Sequence, residues 1–305
     1  MPATDPSAFL RSAALLDALD DGQSPSDAVG RVAAAHDVGT QHLVRGFRAQ
    51  VGVSPTRYAQ HLRGESARRL LARSSVLDTA TLLEESSPGR LHDVVVTTEA
   101  VTPGQARGGG RGMVVHHALH PTALGPLLVA SSERGVVLLA FTAAFGETDA
   151  LDDLRRRWPA AELVADADAT AAAAEHVRTR LAGADRERPL PLLLRGTNLQ
   201  LAVWRALLRV PEGTCVAYGD LAEAVGRPTA VRAVASAVGR NPVAPLVPCH
   251  RVLRATGALG GYRWGEPTKR RLLAVEAART LGPVETDGVD RRSRHGDHGP
   301  ATLAG

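Results

Sequence analysis

The stretch VTPGQARGGGRG, residues 101–112, constrains this chain more than any other. Five glycines and a proline in twelve residues cannot support a helix or a strand. It divides the 305 residues into parts with different periodicity. Upstream, apolar residues recur at helical spacing; downstream, short β-branched runs alternate with helical segments. The reading is a multidomain chain. Residues 1–100 form an all-α DNA-binding module and 101–112 a flexible linker. Residues 113–196 form an α/β subdomain, 197–282 a mainly helical domain, and 283–305 a disordered tail. A linker of this composition predicts loose tethering of the first module to the rest.

Helical periodicity is clear in AFLRSAALLDALDD, SDAVGRVAAAHDV and TQHLVRGFRAQVG, with SPTRYAQHLRGESARRLLA following. SPSD offers caps before Ala28, and Gly39-Thr40 can end one short helix and begin the next. This is a helix-turn-helix pattern. Ala33 and Ala34 leave room for the second helix, and Leu43 and Phe47 face the core. Gln41, His42, Arg45 and Arg48 then stand on the opposite face, where they can reach bases or phosphates. A plain helical bundle with a solvated polar face would show the same pattern. Charge placement favours a polyanion: residues 39–73 carry seven arginines and one glutamate, and residues 197–282 carry 12 basic and 5 acidic side chains.

After the glycine-rich break, MVVHHALH, GPLLVASS and GVVLLAF read as strands, the last two as a hairpin. Helices are expected near 149–158 and 168–182, separated by PAAELV, with LPLLLRG as a further strand. Two cysteines, Cys215 and Cys249, cannot build a disulfide framework, and no CxxC pair suggests zinc. The tail histidines His295 and His298 are at best a weak ligand pair, so no metal and no cofactor is expected. The acidic N-terminus lacks the features of a signal peptide, and no apolar run is long enough to span a membrane. A cytoplasmic, nucleoid-associated bacterial monomer without membrane contact is the expectation.

In 197–282, NLQLAVWRALLRV is an amphipathic helix. YGDLAEAVGRPTAVRAVASAVGRN is a second helix-turn-helix candidate, with Gly226 at the turn. Arg232 sits among small alanines, which let a helix approach DNA closely. NPVAPLVPCHRV follows at once and places Cys249 beside that element. A free thiol is mostly protonated at neutral pH and needs a base to become a nucleophile. Cys249 next to His250 is only a modest signal, because neighbouring side chains in a strand point oppositely; a buried structural cysteine fits equally well.

PCHRV, with RAVASAVGRNPVA before it and GALGGYRWGEPTKRRLLAVEA after it, closely resembles the O6-alkylguanine-DNA alkyltransferases, the methylated-DNA–protein-cysteine methyltransferases. The resemblance runs from about Thr197 to Ala278, and the preceding α/β segment fits that family's ribonuclease H-like half. HLVRGFRAQVGVSPTRYAQHLR resembles an AraC-type DNA-binding module. The whole is similar to the Ada-like subgroup without its N-terminal zinc-bearing phosphotriester domain, since no cysteine precedes position 215. The resemblance implies that Cys249 accepts an alkyl group, with Glu276 and His250 activating it through a water. It implies that Asn241 braces the loop, Tyr218 donates to the base and crowds the target phosphate, and Arg232 enters the minor groove. Tyr262 would line the alkylguanine pocket, with Arg263 and Trp264 on the same loop.

The implied partner is double-stranded DNA carrying O6-alkylguanine, flipped from the helix because a thiolate cannot reach the alkyl group within the stack. The second helix-turn-helix of the AraC pattern is degenerate here. TATLLEESSPGRLHD lacks the expected aromatics, and Pro88-Gly89 disfavours a long recognition helix. Promoter DNA is therefore a secondary expectation. The alternative function is a transcriptional regulator, or a lesion-recognition protein without catalysis.

Overall fold

The computed structural model describes residues 6–62, 65–76, 94–100, 109–144, 146–184 and 189–281. Its first helices are α1 (Pro6–Asp20), α2 (Pro25–Ala35), α3 (Thr40–Val51), α4 (Pro55–His61) and α5 (Glu65–Val76). The Ser24 and Ser54 hydroxyls cap α2 and α4 by accepting from the amides three residues on. Leu43, Phe47 and Val51 are buried on one stripe of α3, against Leu15, Leu16, Leu19, Val32 and Ala33. Phe47 meets Tyr58 edge-on at 6.3 Å. The predicted inward residues of the first helix-turn-helix are thus the core of this unit. The degenerate second pattern, the segment 101–108 and the tail with His295 and His298 lie outside the described residues.

A six-stranded mixed sheet follows. Its strands are β1 (Val94–Ala100), β2 (Val114–His120), β3 (Leu127–Ser132), β4 (Gly135–Phe141), β5 (Glu162–Ala165) and β6 (Leu190–Gly196), in spatial order β1-β6-β4-β3-β2-β5. The helices α6 (Gly146–Arg157) and α7 (Ala167–Leu181) flank β5 in sequence. β3 and β4 form the expected antiparallel hairpin, and β4 is buried along its whole length. β1 departs from the expectation. It belongs to the sheet, pairing in parallel with β6 from Val94↔Leu190 to Ala100↔Gly196, and not to an all-helical unit ending at residue 100. Val94, Val95, Val96, Thr97 and Thr98 are the β-branched residues that suit such a strand.

The C-terminal part comprises α8 (Asn198–Arg209), β7 (Val216–Ala217), α9 (Tyr218–Ala224), α10 (Val231–Gly239), a 3-10 turn (Cys249–Arg251), β8 (Val252–Leu253) and α11 (Glu266–Thr280). Thr197 and Gln200 form a capping box at the start of α8. α9 and α10 make the second helix-turn-helix, joined through Gly226 at φ 68°. The loop after α10 is tied to the sheet, since Leu139 donates its amide to the Pro242 carbonyl at 2.9 Å.

The glycine-rich break predicts loose tethering, but the first helices are docked on α11. Arg271 of α11 pairs with Asp17 and Asp20 of α1, each at 2.5 Å, and Tyr58 donates to Asp20 at 2.8 Å. Arg57 donates to the carbonyls of Ala278 and, at 2.6 Å, Leu281. Arg279 reaches back to the Val51 carbonyl at 2.7 Å. Gly52, at φ 81°, lies so close to Ala182 that an added Cβ would meet its carbonyl oxygen at 2.2 Å. Leu70 of α5 is fully buried in a second cluster with Cys215, Leu253, Leu273, Ala277 and Leu281. A module held by apolar burial and paired charge does not depend on its linker for position.

Leu70 reports on this docking. Leu70→Ala is expected to cost about 2–5 kcal/mol, the usual range for emptying a filled core site. Chemical denaturation followed at the tryptophans should show the loss, because all three tryptophans lie beyond residue 157. A tryptophan transition that does not move would mean that the helices and α11 unfold independently.

Candidate active site

Cys249 opens the 3-10 turn, and its side chain is buried at 4% exposure. The turn answers the geometric objection raised by two adjacent side chains, since it does not alternate as a strand does. The thiol's direct partner is Asn241, whose Nδ2 lies 3.0 Å from Sγ. The same Nδ2 donates to the Val247 carbonyl at 2.7 Å, and Oδ1 accepts from the Val243 amide at 3.0 Å. One amide side chain therefore fixes the loop before the cysteine and touches the sulfur.

His250 is buried with Nε2 2.8 Å from Glu276 Oε1. An ionised carboxylate only accepts, so the imidazole proton sits on Nε2 and the Nδ1 lone pair is left available. Nδ1 is buried and has no hydrogen-bond partner among the described residues. Burial alone would raise the Glu276 pKa, but Arg251 and then His250 outweigh it and hold the carboxyl well below its usual range. Arg251 donates Nη2 and Nε to that carboxylate at 2.8 to 3.1 Å, and Nη1 to the Val210 carbonyl at 2.5 Å. Burial lowers the His250 pKa, opposed by Glu276. Burial likewise pushes the Cys249 thiol up, against the opposite pull of Asn241, Tyr262 and Lys269. The resting pair is thus neutral thiol and neutral imidazole. Transfer of one proton creates thiolate and imidazolium together, with Glu276 placed to stabilise the cation.

Tyr218 begins α9, half-buried; burial and the neighbouring Cys249 raise its pKa, with Arg254 opposing. The Tyr262 hydroxyl is buried, and Tyr262 favours loss of the Cys249 proton. Arg232 stands exposed in the first turn of α10, whose inner face is Val234, Ala237 and Val238. Gln41, His42, Arg45 and Arg48 are all exposed on the outer face of α3, on a different element from the thiol cluster.

Two pocket candidates lie elsewhere. Trp264 is wholly buried core, and Arg263 turns to Asp153 at 2.7 Å while stacking 5.1 Å from the Trp264 ring. The Trp264 indole has no exposed surface. Sequence reasoning missed Arg251 and Lys269. Lys269 is the only lysine among 36 basic residues, a compositional signal that was available. Its Nζ is buried and donates to the Val252 carbonyl at 2.7 Å and to that of Leu259. Burial pulls its pKa down to about 8, opposed by Cys249 and Cys215. Among the described residues no group of three His, Cys, Asp or Glu side chains is arranged to hold a metal, and no helix is long and apolar enough to cross a membrane.

A buried thiol bonded to an asparagine, followed in sequence by a histidine paired with a carboxylate and preceded by a helix-turn-helix, is the arrangement of a cysteine-bearing DNA-binding protein. Residues 198–278 match the family described as 6-O-methylguanine DNA methyltransferase, DNA binding domain. The chain is 40% identical over 245 residues to the bifunctional transcriptional activator/DNA repair enzyme Ada of Escherichia coli K12, covering 77% of this chain and 66% of that protein. It is 38% identical over 152 residues to the inducible methylated-DNA–protein-cysteine methyltransferase of Bacillus subtilis, covering 48% of this chain and 82% of the relative. The crystal structure of the Mycobacterium tuberculosis O6-methylguanine methyltransferase is 37% identical, covers 54% of this chain and 94% of that one, and superposes with a TM-score of 0.46. This chain belongs to the methylated-DNA–protein-cysteine methyltransferase family. It spans about two thirds of the length of the Escherichia coli relative.

The buried charges set the pH response. Glu276 has a folded pKa below its unfolded value near 4.3, so its contribution to stability is present above that value and is lost as the pH falls through the folded one. Wild-type protein is therefore expected to lose stability more steeply between pH 5 and pH 3 than Glu276→Gln. Lys269 acts with the same sign at the alkaline end. Between about 8 and its unfolded pKa the unfolded chain binds the extra proton, so this residue makes stability rise with pH there. Urea melts across both windows check the signs; parallel acid limbs for the two proteins would remove Glu276 from the account.

Proposed function

We propose that Cys249 is the acceptor in direct reversal of O6-alkylguanine damage, a stoichiometric cysteine alkyl transfer. The observation that carries this assignment is the joint placement of Asn241 on Sγ and of the His250–Glu276 pair beside it. In the reaction the thiol proton moves to His250 Nδ1, by way of a bridging water. The sulfur attacks the alkyl carbon, the carbon–O6 bond breaks, and its electron pair returns to the guanine. Tyr218 donates to the base as that charge develops, and the proton lost by the thiol ends on guanine. Enclosure of Sγ in the protein requires the base to leave the stack, and exposed Arg232 on α10 suits the vacated space. The product is a thioether, which water does not cleave, so each molecule acts once.

A regulatory activity is the second reading, favoured by the exposed Gln41, His42, Arg45 and Arg48 on a helix-turn-helix of AraC type. These residues supply DNA affinity, with promoter DNA as a possible target beside damaged duplex. The sheet before Thr197 serves as the ribonuclease H-like half. A lesion-recognition protein without chemistry would not need the complete set around Cys249.

Incubation with duplex DNA carrying one O6-methylguanine is expected to add one methyl group, about 14 Da, to Cys249 and then stop. Intact-mass and peptide mass spectrometry read this directly. Label on Cys215 alone, or continued turnover, would overturn the assignment; Cys215 is fully buried, and burial raises its pKa far above the usual thiol value.

A further inference from the structure

We infer that Asp153, on α6 of the α/β subdomain, is a positioning residue for the transfer reaction, an inference that rests on the alkyl-transfer reading above. Its carboxylate is buried at 5% exposure, well away in sequence from every residue of the thiol cluster. Two arginines meet it on opposite oxygens. Arg263 Nη2 lies 2.7 Å from Oδ1, and Arg157 Nε lies 2.8 Å from Oδ2. Arg156 approaches Oδ1 only at 3.6 Å, with a largely exposed side chain.

Each close arginine leads to a different wall of the site. Arg263 directly follows Tyr262, one of the residues that favour the Cys249 thiolate. Arg157 donates Nη2 to the Arg240 carbonyl at 2.9 Å, at the C-terminal end of α10. The next residue is Asn241, which contacts Sγ at 3.0 Å. One carboxylate therefore anchors both the loop that carries Tyr262 and the end of the helix that precedes Asn241. Asn241 is the residue hydrogen-bonded to the buried thiol, and Tyr262 acts with it in favouring the thiolate.

The chemistry of the anchor suits this task. Arg presents a planar fork that fixes direction as well as distance, and a buried carboxylate shared by two such forks locks their relative position. A buried charge cluster is a poor device for stability alone, because desolvation offsets most of its attraction. Its value here is alignment across the boundary between the subdomain and the catalytic part. An error of about an ångström at a reacting group is enough to slow chemistry by orders of magnitude.

The test is single-turnover kinetics on a duplex with one O6-methylguanine, with binding to the undamaged duplex measured alongside. Asp153→Asn is expected to slow transfer at saturation by at least fivefold while leaving affinity for undamaged DNA within twofold. Asp153→Glu should recover part of the rate. Arg263→Met should also slow transfer, and the double variant Asp153→Asn/Arg263→Met should be no slower than the slower single one, since both break the same link. Leu154→Ala, which empties a buried site on the same helix, should lower stability without lowering the saturated rate. An unchanged rate in Asp153→Asn overturns the inference. So does a Leu154→Ala rate as low as that of Asp153→Asn, or simple multiplication of the two single effects. Failure of the wild-type protein to become methylated would instead overturn the alkyl-transfer reading itself.

Discussion

The carboxylate of Glu276 is the point on which the rest of the site hangs. It is buried on α11, takes the Arg251 guanidinium along one edge and His250 Nε2 on one oxygen, and so joins the helix to the 3-10 turn. Removing one partner from such a cluster strands the others without solvent, at a cost of about 3–5 kcal/mol. The same interaction sets the imidazole tautomer. Stability and reactivity are therefore carried by the same few atoms. The opposite side of α11 meets the first helical unit, so this helix is shared between the catalytic centre and the N-terminal module.

The sulfur lives between opposing influences. Burial keeps the proton on Cys249, while Asn241, Tyr262 and Lys269 favour its loss. A thiol so buried is shielded from solvent oxidants. Charge separation is then confined to a site already lined with donors, where little reorganisation is needed.

Local pattern carried much of the architecture. The strands β2, β3 and β4, the inward stripe of α3 and the capped start of α8 all follow from periodicity, turn residues and capping chemistry. The resemblance, not spacing, singled out Asn241 and Glu276; Glu276 lies 27 residues from Cys249 and leaves no local trace. β1 was hidden for a related reason. Its β-branched run is visible, but its parallel partner β6 lies almost a hundred residues downstream. Buried charges were the least legible. Arg251 and Asp153 look like surface residues in sequence, and only the fold brings their partners within reach. Glycine content likewise says nothing about contacts made elsewhere, which is why the docking of the helices on α11 was not foreseen.

Lys269 has a practical corollary. Every other basic side chain in the 305 residues is arginine, so the chain carries a single side-chain amine, and that amine is enclosed. Acylating reagents that attack free amines therefore meet a folded molecule with its one lysine side chain out of reach. Burial is what pulls its pKa down to about 8, so an opening that admits solvent also returns the amine toward an ordinary lysine. Acylation at position 269 is thus a chemical record of each opening of the loop it holds.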